Sequence, residues 1–381
     1  MRSSISNSEL TVIEESGPEV SILERPLAVS SPPARGFERP VPALPWLRIL
    51  LGVVSATFVL MFAWELEMRH LGLRAGDLDD GRAEWAVERR KVDAGPRDSV
   101  VIIGDSRILL DTDLATWQRL TGRRPVQLAL LGANAQPILH NLADDEHFAG
   151  LLVIGTAEFS YFSDDTVPGV LKYIKNESPS QRTGLQLHQM LSRYFAFLDS
   201  NYTLFTLLEK HNKWPERRGV VSPYEDVWKL SESYDDRQTY LWDRLERDDY
   251  LRRQAQTIWT EFFSGPPVNA DKVERISAST KTDIDRIRAR GGEVVWVRPP
   301  SSGQLLHIEK VRYPRGEVWD KLMNDTGSFG VYFEDDPAMQ RLSCPDWSHL
   351  SRASAIAFTD AYVRVLRDHV EWLRVHTNNS N

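Results

Sequence analysis

Three short apolar runs, each closed by a glycine, limit this chain more than any other feature. Ser99-Val100-Val101-Ile102-Ile103 runs into Gly104, Val126 to Leu131 into Gly132, and Leu151 to Ile154 into Gly155. Short runs of aliphatic and β-branched residues without polar alternation are what strands buried on both faces require. Asp113 to Leu120 reads as a helix, with Asp113 as N-cap and Gly122 as its stop, and a second helical stretch reaches His147. Strand-helix-strand-helix-strand within about 55 residues predicts an α/β fold with a parallel sheet covered by helices.

The rhythm breaks between about 160 and 290. Leu185 to Phe197 and Leu241 to Phe263 read as helices, the second closed by Gly265-Pro266-Pro267. Val273, Ile276, Thr280, Ile284 and Ile287 keep a helical spacing up to Gly291-Gly292. This stretch is a helical insertion. After it, Glu293 to Val297 predicts a fourth buried strand and Tyr332-Phe333 a fifth. Residues 350 to 375 predict a long C-terminal helix with Ile356, Val363 and Leu366 on its apolar face.

The N-terminal part has a different character. Residues 1–44 are rich in Ser and Pro and too poor in apolar residues to offset their ordering entropy, so they read as a disordered tail. Ile49 to Trp64 then carries no charge. As a helix this run spans roughly 24 Å, and flanking residues bring it near the bilayer core of about 30 Å. Trp46 and Trp64 stand near its two ends, where indole rings favour the interface. Residues 45–66 therefore predict a single transmembrane helix, and residues 67–97 a juxtamembrane linker. Arginines flank the span evenly, so charge does not orient it.

The net charge of −8 leaves no electrostatic footprint for a nucleic acid, and the single cysteine, Cys344, excludes a disulfide framework or a cysteine-based zinc site. No metal or other cofactor is implied. The acidic run Asp144-Asp145-Glu146-His147 has no second ligand group at matching spacing and reads as a solvated loop.

Chemistry-bearing residues gather at strand ends, where open α/β sheets place their sites. Gly104-Asp105-Ser106-Arg107 follows the first strand, Leu131-Gly132-Ala133-Asn134 the second, and Asp346-Trp347-Ser348-His349 precedes the last helix. A serine on a strand-to-helix turn lies near free N–H groups and the positive end of a helix dipole. A histidine can take its proton, and a carboxylate can fix the imidazole tautomer. There is no G-x-S-x-G elbow around Ser106.

In these blocks the chain resembles the SGNH/GDSL hydrolase superfamily. Gly104-Asp105-Ser106 is similar to its first block, Gly132 to its second, and Asp346-x-x-His349 followed by Leu350 to its last. The likeness covers roughly residues 98 to 160 and 290 to 372. It implies a flavodoxin-like three-layer α/β/α domain over 98–381, interrupted by the insertion. It implies Ser106 as nucleophile, His349 as general base, Asp346 as the acid that orients it, and Asp105 as a brace of the turn. It implies a serine-dependent esterase acting on acetyl or other acyl esters of carbohydrates or small molecules. The alternatives are an O-acyltransferase working with an envelope polysaccharide-modifying complex, or a catalytically idle scaffold of the same fold. It also places the C-terminal domain outside the cytoplasm.

One block departs. Where the family has Gly-x-Asn-Asp, the third strand ends Gly155-Thr156-Ala157-Glu158, so an oxyanion donor is missing. The backbone N–H groups of Ser106 and Gly132 remain, and Asn134 is a candidate third donor. Loss of one donor typically costs roughly 10²–10³ in rate. Arg107, Glu158 and Arg298 are candidate substrate contacts, each with an ion-pair reading beside it. Trp214, Trp228, Trp242 and Trp259 fall in the insertion and read either as sugar platforms or as helix packing.

Overall fold

The computed structural model describes residues 42–163, 169–204 and 229–378. The expected tail up to residue 41, and Trp214 and Trp228, lie outside the described residues. Among the described residues seven strands are formed: β1 (Val100–Gly104), β2 (Val126–Gln127), β3 (Leu151–Gly155), β4 (Ser231–Ser233), β5 (Thr239–Leu241), β6 (Glu293–Arg298) and β7 (Phe329–Tyr332). Five of them make one parallel sheet in the order β2-β1-β3-β6-β7. Counting only its own strands, that is the doubly wound order 2-1-3-4-5. β1 and β3 are buried along their whole length, as their unbroken apolar runs require.

β2 is shorter than the run 126–131 suggests, yet the ladder continues past it. Leu128 N–H donates to Ile102 O at 2.8 Å and Leu130 N–H to Gly104 O at 3.0 Å. The outer edge of this strand is covered. Trp85 Nε1 donates to Leu128 O, and Arg237 donates to Gln127 O and Ala129 O.

Two glycines set the position of the helix Ser106–Asp111, which leaves the end of β1. Gly104 and Gly155 face each other in register across β1 and β3. A Cβ on Gly155 would lie 2.0 Å from Ile108 Cβ, and one on Gly104 only 2.2 Å from Gly155 O. Gly104 also has φ +148°. Only two bare Cα atoms let this helix settle through Ile108 onto the strand ends.

Several expectations need correction. Residues 67–97 are not a linker: they carry the helix Arg82–Ala94, and Met68, Leu73, Trp85 and Val92 belong to the buried core. Leu241 to Phe263 is not one helix. Leu241 closes β5, and the carboxylate of Asp248 caps a fresh helix, Asp249–Phe263, by accepting from Tyr250 N and Leu251 N. The helix expected from Leu185 begins earlier, at Pro179 behind a Ser178/Gln181 capping box, and ends at Ser192. Within the insertion β4 and β5 form an antiparallel pair that the sequence did not suggest. The C-terminal helix breaks at Val370 into Arg352–His369 and Glu371–Asn378, and Ile356 is 40% exposed while Val363 and Leu366 are buried. Phe333 lies beyond β7 in a 3-10 turn.

The chain divides into two units, Met1–Ser55 and Ala56–Asn381; sheet, core and candidate site belong to the second. The division falls inside the helix Trp46–His70, which is 25 residues long and has a mean hydropathy of 2.1 over its most apolar stretch. It is long and apolar enough to cross a membrane, and its apolar side chains are exposed, Leu60 at 71%. Near its C-terminal end the helix is tied into the second unit: the Glu65 carboxylate accepts from Ala196 N and Phe197 N, and Met68 is fully buried.

Candidate active site

The sheet reverses its strand order between β1 and β3, and the loops after these two strands meet there. Asp105 joins them. As N-cap of the helix Ser106–Asp111 it accepts from Arg107 N at 3.0 Å, and through its other oxygen from Ala157 N at 3.1 Å. Ser106, the first residue of that helix, is partly accessible, and among the described residues no hydrogen bond engages its N–H.

Ser106, His349 and Asp346 are joined in one chain of hydrogen bonds. His349 Nε2 lies 2.9 Å from Ser106 Oγ, and His349 Nδ1 lies 2.8 Å from Asp346 Oδ2. With the Nδ1 proton held by the carboxylate, Nε2 is left to accept the serine O–H. Asp346 and His349 are fully buried. The other carboxylate oxygen, Asp346 Oδ1, accepts from Ser348 N at 3.0 Å and His349 N at 2.7 Å. Burial would raise the Asp346 pKa, but the charge and hydrogen bonds of His349, with a further bond from Trp259, hold it below the ordinary carboxylate value.

This loop is folded around Trp347, whose φ of +73° is a left-handed conformation seldom adopted by a bulky residue. Its ring packs on Gly303, where a Cβ would come within 2.4 Å of the indole nitrogen. Trp347 O accepts from Ser302 N at 3.0 Å, which fixes the loop to the start of the helix Gly303–Arg312.

Arg107, Glu158 and Arg298 come together, but not as an open substrate surface. Arg107 pairs with Glu309, Arg298 Nη2 donates to Glu309 Oε2 at 2.7 Å, and Arg298 Nε donates to Glu158 Oε2 at 2.8 Å. All four residues are buried, so the three candidate substrate contacts are corrected to members of an internal ion network. Ser301 Oγ adds a bond to Glu309 at 2.6 Å. Burial alone would push the Glu309 carboxyl up; the charges of Arg107 and Arg298 and the bonds from Arg107 and Ser301 bring it down to about 2. Arg107 Nε also donates to Ser348 Oγ at 3.2 Å, so the network links the loops after β1, β3 and β6 to the loop carrying His349.

The oxyanion candidates separate. Gly132 is exposed, has φ +60°, and its N–H is not engaged by any of the described residues. Asn134 is buried and bonded elsewhere: Nδ2 donates to Ser163 O at 3.3 Å and Oδ1 accepts from Gln136 N at 2.9 Å. Nδ2 also lies 3.5 Å from Ser163 Oγ, so the amide is directed at Ser163. Ala157 is buried, with its N–H on Asp105.

Of the described insertion tryptophans, Trp242 is buried packing. Trp259 is not merely packing. Its Nε1 donates to Asp346 Oδ2 at 3.0 Å, and its ring meets His349 edge-on at a centroid distance of 5.7 Å. Its neighbours Phe262 and Phe263 pack against Phe159, which follows β3. Nothing in the sequence separated Trp259 from the other three tryptophans, because its partner lies 87 positions away.

The acidic run at 144–147 is held by ordinary bonds. Asp144 pairs with Arg286, Asp145 with Arg89, and His147 Nε2 lies 2.9 Å from Gly95 O. Among the described residues no three His, Cys, Asp or Glu side chains cluster as a metal set. No family model and no curated protein matches the chain.

Proposed function

We propose that this chain is a serine acyl-ester hydrolase of the SGNH/GDSL type, built on a flavodoxin-like α/β/α domain and held at a membrane by the helix Trp46–His70. The observation that carries this reading is the unbroken relay from Ser106 Oγ through His349 to Asp346, at 2.9 and 2.8 Å. The doubly wound strand order and the placement of Ser106 at its switch point support it.

In this reading Ser106 Oγ attacks the ester carbonyl while His349 Nε2 takes its proton. The tetrahedral oxyanion is received by the N–H groups of Ser106 and Gly132. His349 then gives its proton to the leaving alcohol. Water, deprotonated by the same imidazole, releases the acid and restores Ser106. Asp346 stabilises the imidazolium in both halves. The substrates are acetyl or other acyl esters of carbohydrates or small molecules, met on the outer side of the membrane. No cofactor takes part.

A second reading has a sugar hydroxyl in place of water, making the chain an O-acyltransferase on an envelope polysaccharide. The departure at Ala157 favours it, because the resemblance implies that membrane-anchored relatives acylating envelope polysaccharides also vary in this block. The assembled relay speaks against an idle scaffold.

Release of nitrophenol from a small aryl acetate tests the reading. Ser106→Ala and His349→Ala should each lower the rate by roughly 10³ or more, and the double variant should lose little beyond either single one. Hydrolysis that survives Ser106→Ala would remove the nucleophile assignment. Acetylated product on added oligosaccharide, at the expense of free acetate, would select transfer.

A further inference from the structure

The acid end of the relay is completed by a helix from the insertion. Asp346 Oδ2 accepts from His349 Nδ1 and also from Trp259 Nε1, while Oδ1 takes the two backbone N–H groups of Ser348 and His349. Among the described residues the carboxylate therefore has four donors, of which the indole alone comes from outside its own loop. One helical turn earlier, Gln256 Nε2 donates to Pro345 O at 2.8 Å. Residues three apart share one helix face, so Gln256 and Trp259 grip consecutive residues of the loop, Pro345 and Asp346. The same helix is secured at its far end, where Arg312 donates to Phe263 O and, at 3.0 Å, to Pro266 O.

We infer that Trp259 is a positioning residue for the relay: its indole N–H fixes the rotamer of Asp346 and shares its charge, with Gln256 holding the loop in register. An indole N–H is a donor only and cannot accept the Nδ1 proton, so it directs Oδ2 toward His349 without competing for that proton. The inference builds on the proposed esterase reading for its kinetic arm alone.

The test uses the full-length protein in detergent micelles. Trp259→Phe keeps a ring against His349 and deletes the donor. It should lower kcat on an aryl acetate about tenfold with KM unchanged, as expected for one lost hydrogen bond to a charged group. More negative charge then rests on Asp346, which stabilises the protonated relay, so the acid limb of the pH–rate profile should move up by roughly 0.5–1 pH unit. A wild-type kcat and pH profile in Trp259→Phe would overturn the inference. A second measurement needs neither activity nor that variant. In the proton spectrum, Asp346→Asn should move one indole N–H signal upfield, because a charged acceptor becomes a neutral one. No indole signal moving would overturn the inference even if the protein proves to be an esterase. If the wild-type chain hydrolyses no ester yet the indole signal moves, the esterase reading fails and the Trp259–Asp346 contact stands.

Discussion

Asp111 shows how strongly one side chain can be set by its surroundings. It is fully buried at the end of the helix that begins with Ser106; Oδ1 accepts from Leu350 N at 2.8 Å and Oδ2 has no partner among the described residues. Burial pushes its pKa well above the ordinary value of 3.8, with Asp346 and Asp105 adding to the rise. The folded state therefore binds this proton more tightly than the unfolded chain, and its contribution to stability is lost as pH rises above about 4. Asp111→Asn keeps the acceptor for Leu350 and removes the ionisation. Its melting temperature should gain on the wild type between pH 4 and pH 8, and a difference that does not vary with pH would show that Asp111 is not held as the neutral acid. At the same scale Trp347 stores strain of order 1–3 kcal/mol in its left-handed backbone. That twist lets Asp346 Oδ1 accept from the two N–H groups immediately beyond it.

At the scale of elements, the glycines that end β1 and β3 matter more than the strands themselves. Gly155→Ala would drive a methyl group into Ile108. Overpacking of this kind costs roughly 1–3 kcal/mol, and here the helix displaced is the one that carries Ser106. Urea unfolding should show the loss, and aryl acetate hydrolysis should fall further than stability alone explains; unchanged activity would mean that Ile108 does not set the position of Ser106. The sequence announced β1, β3 and β6 because strands buried on both faces are written as unbroken apolar runs. It announced Ser106, Asp346 and His349 because each stands beside a strand end or a helix start. It did not announce the six-residue helix from Ser106, which is too short to show a period, or the helix Gly303–Arg312, whose apolar residues do not gather on one side. Arg107, Glu158 and Arg298 were legible as charges near the site, but not as an ion network, since Glu309 lies 202 positions from Arg107 and Glu158 lies 140 positions from Arg298. Ile356 misled because an apolar residue in a helix need not face the core.

At the scale of the whole molecule, the apolar helix and the α/β body are not simply separable. The full-length chain should stay with membranes after a high-salt wash and leave them only with detergent; release by salt alone would rule out the span. A chain begun at Asp77 loses Met68, Leu73 and the Glu65 carboxylate, all of which are built into the folded body. It should melt below a chain begun at Trp64, and equal melting would show that residues 64–76 add nothing to the fold. The relay itself spans the chain: Ser106 and His349 are 243 positions apart, and Arg107 and Glu309 are 202 apart. Such pairings form late, since the loops between them must close first. On the proposed esterase reading, a copy arrested during translation before residue 349 would carry a nucleophile with no base to activate it. Such an unfinished chain would be silent toward the esters it meets, and reactivity would arrive only once His349 is in place.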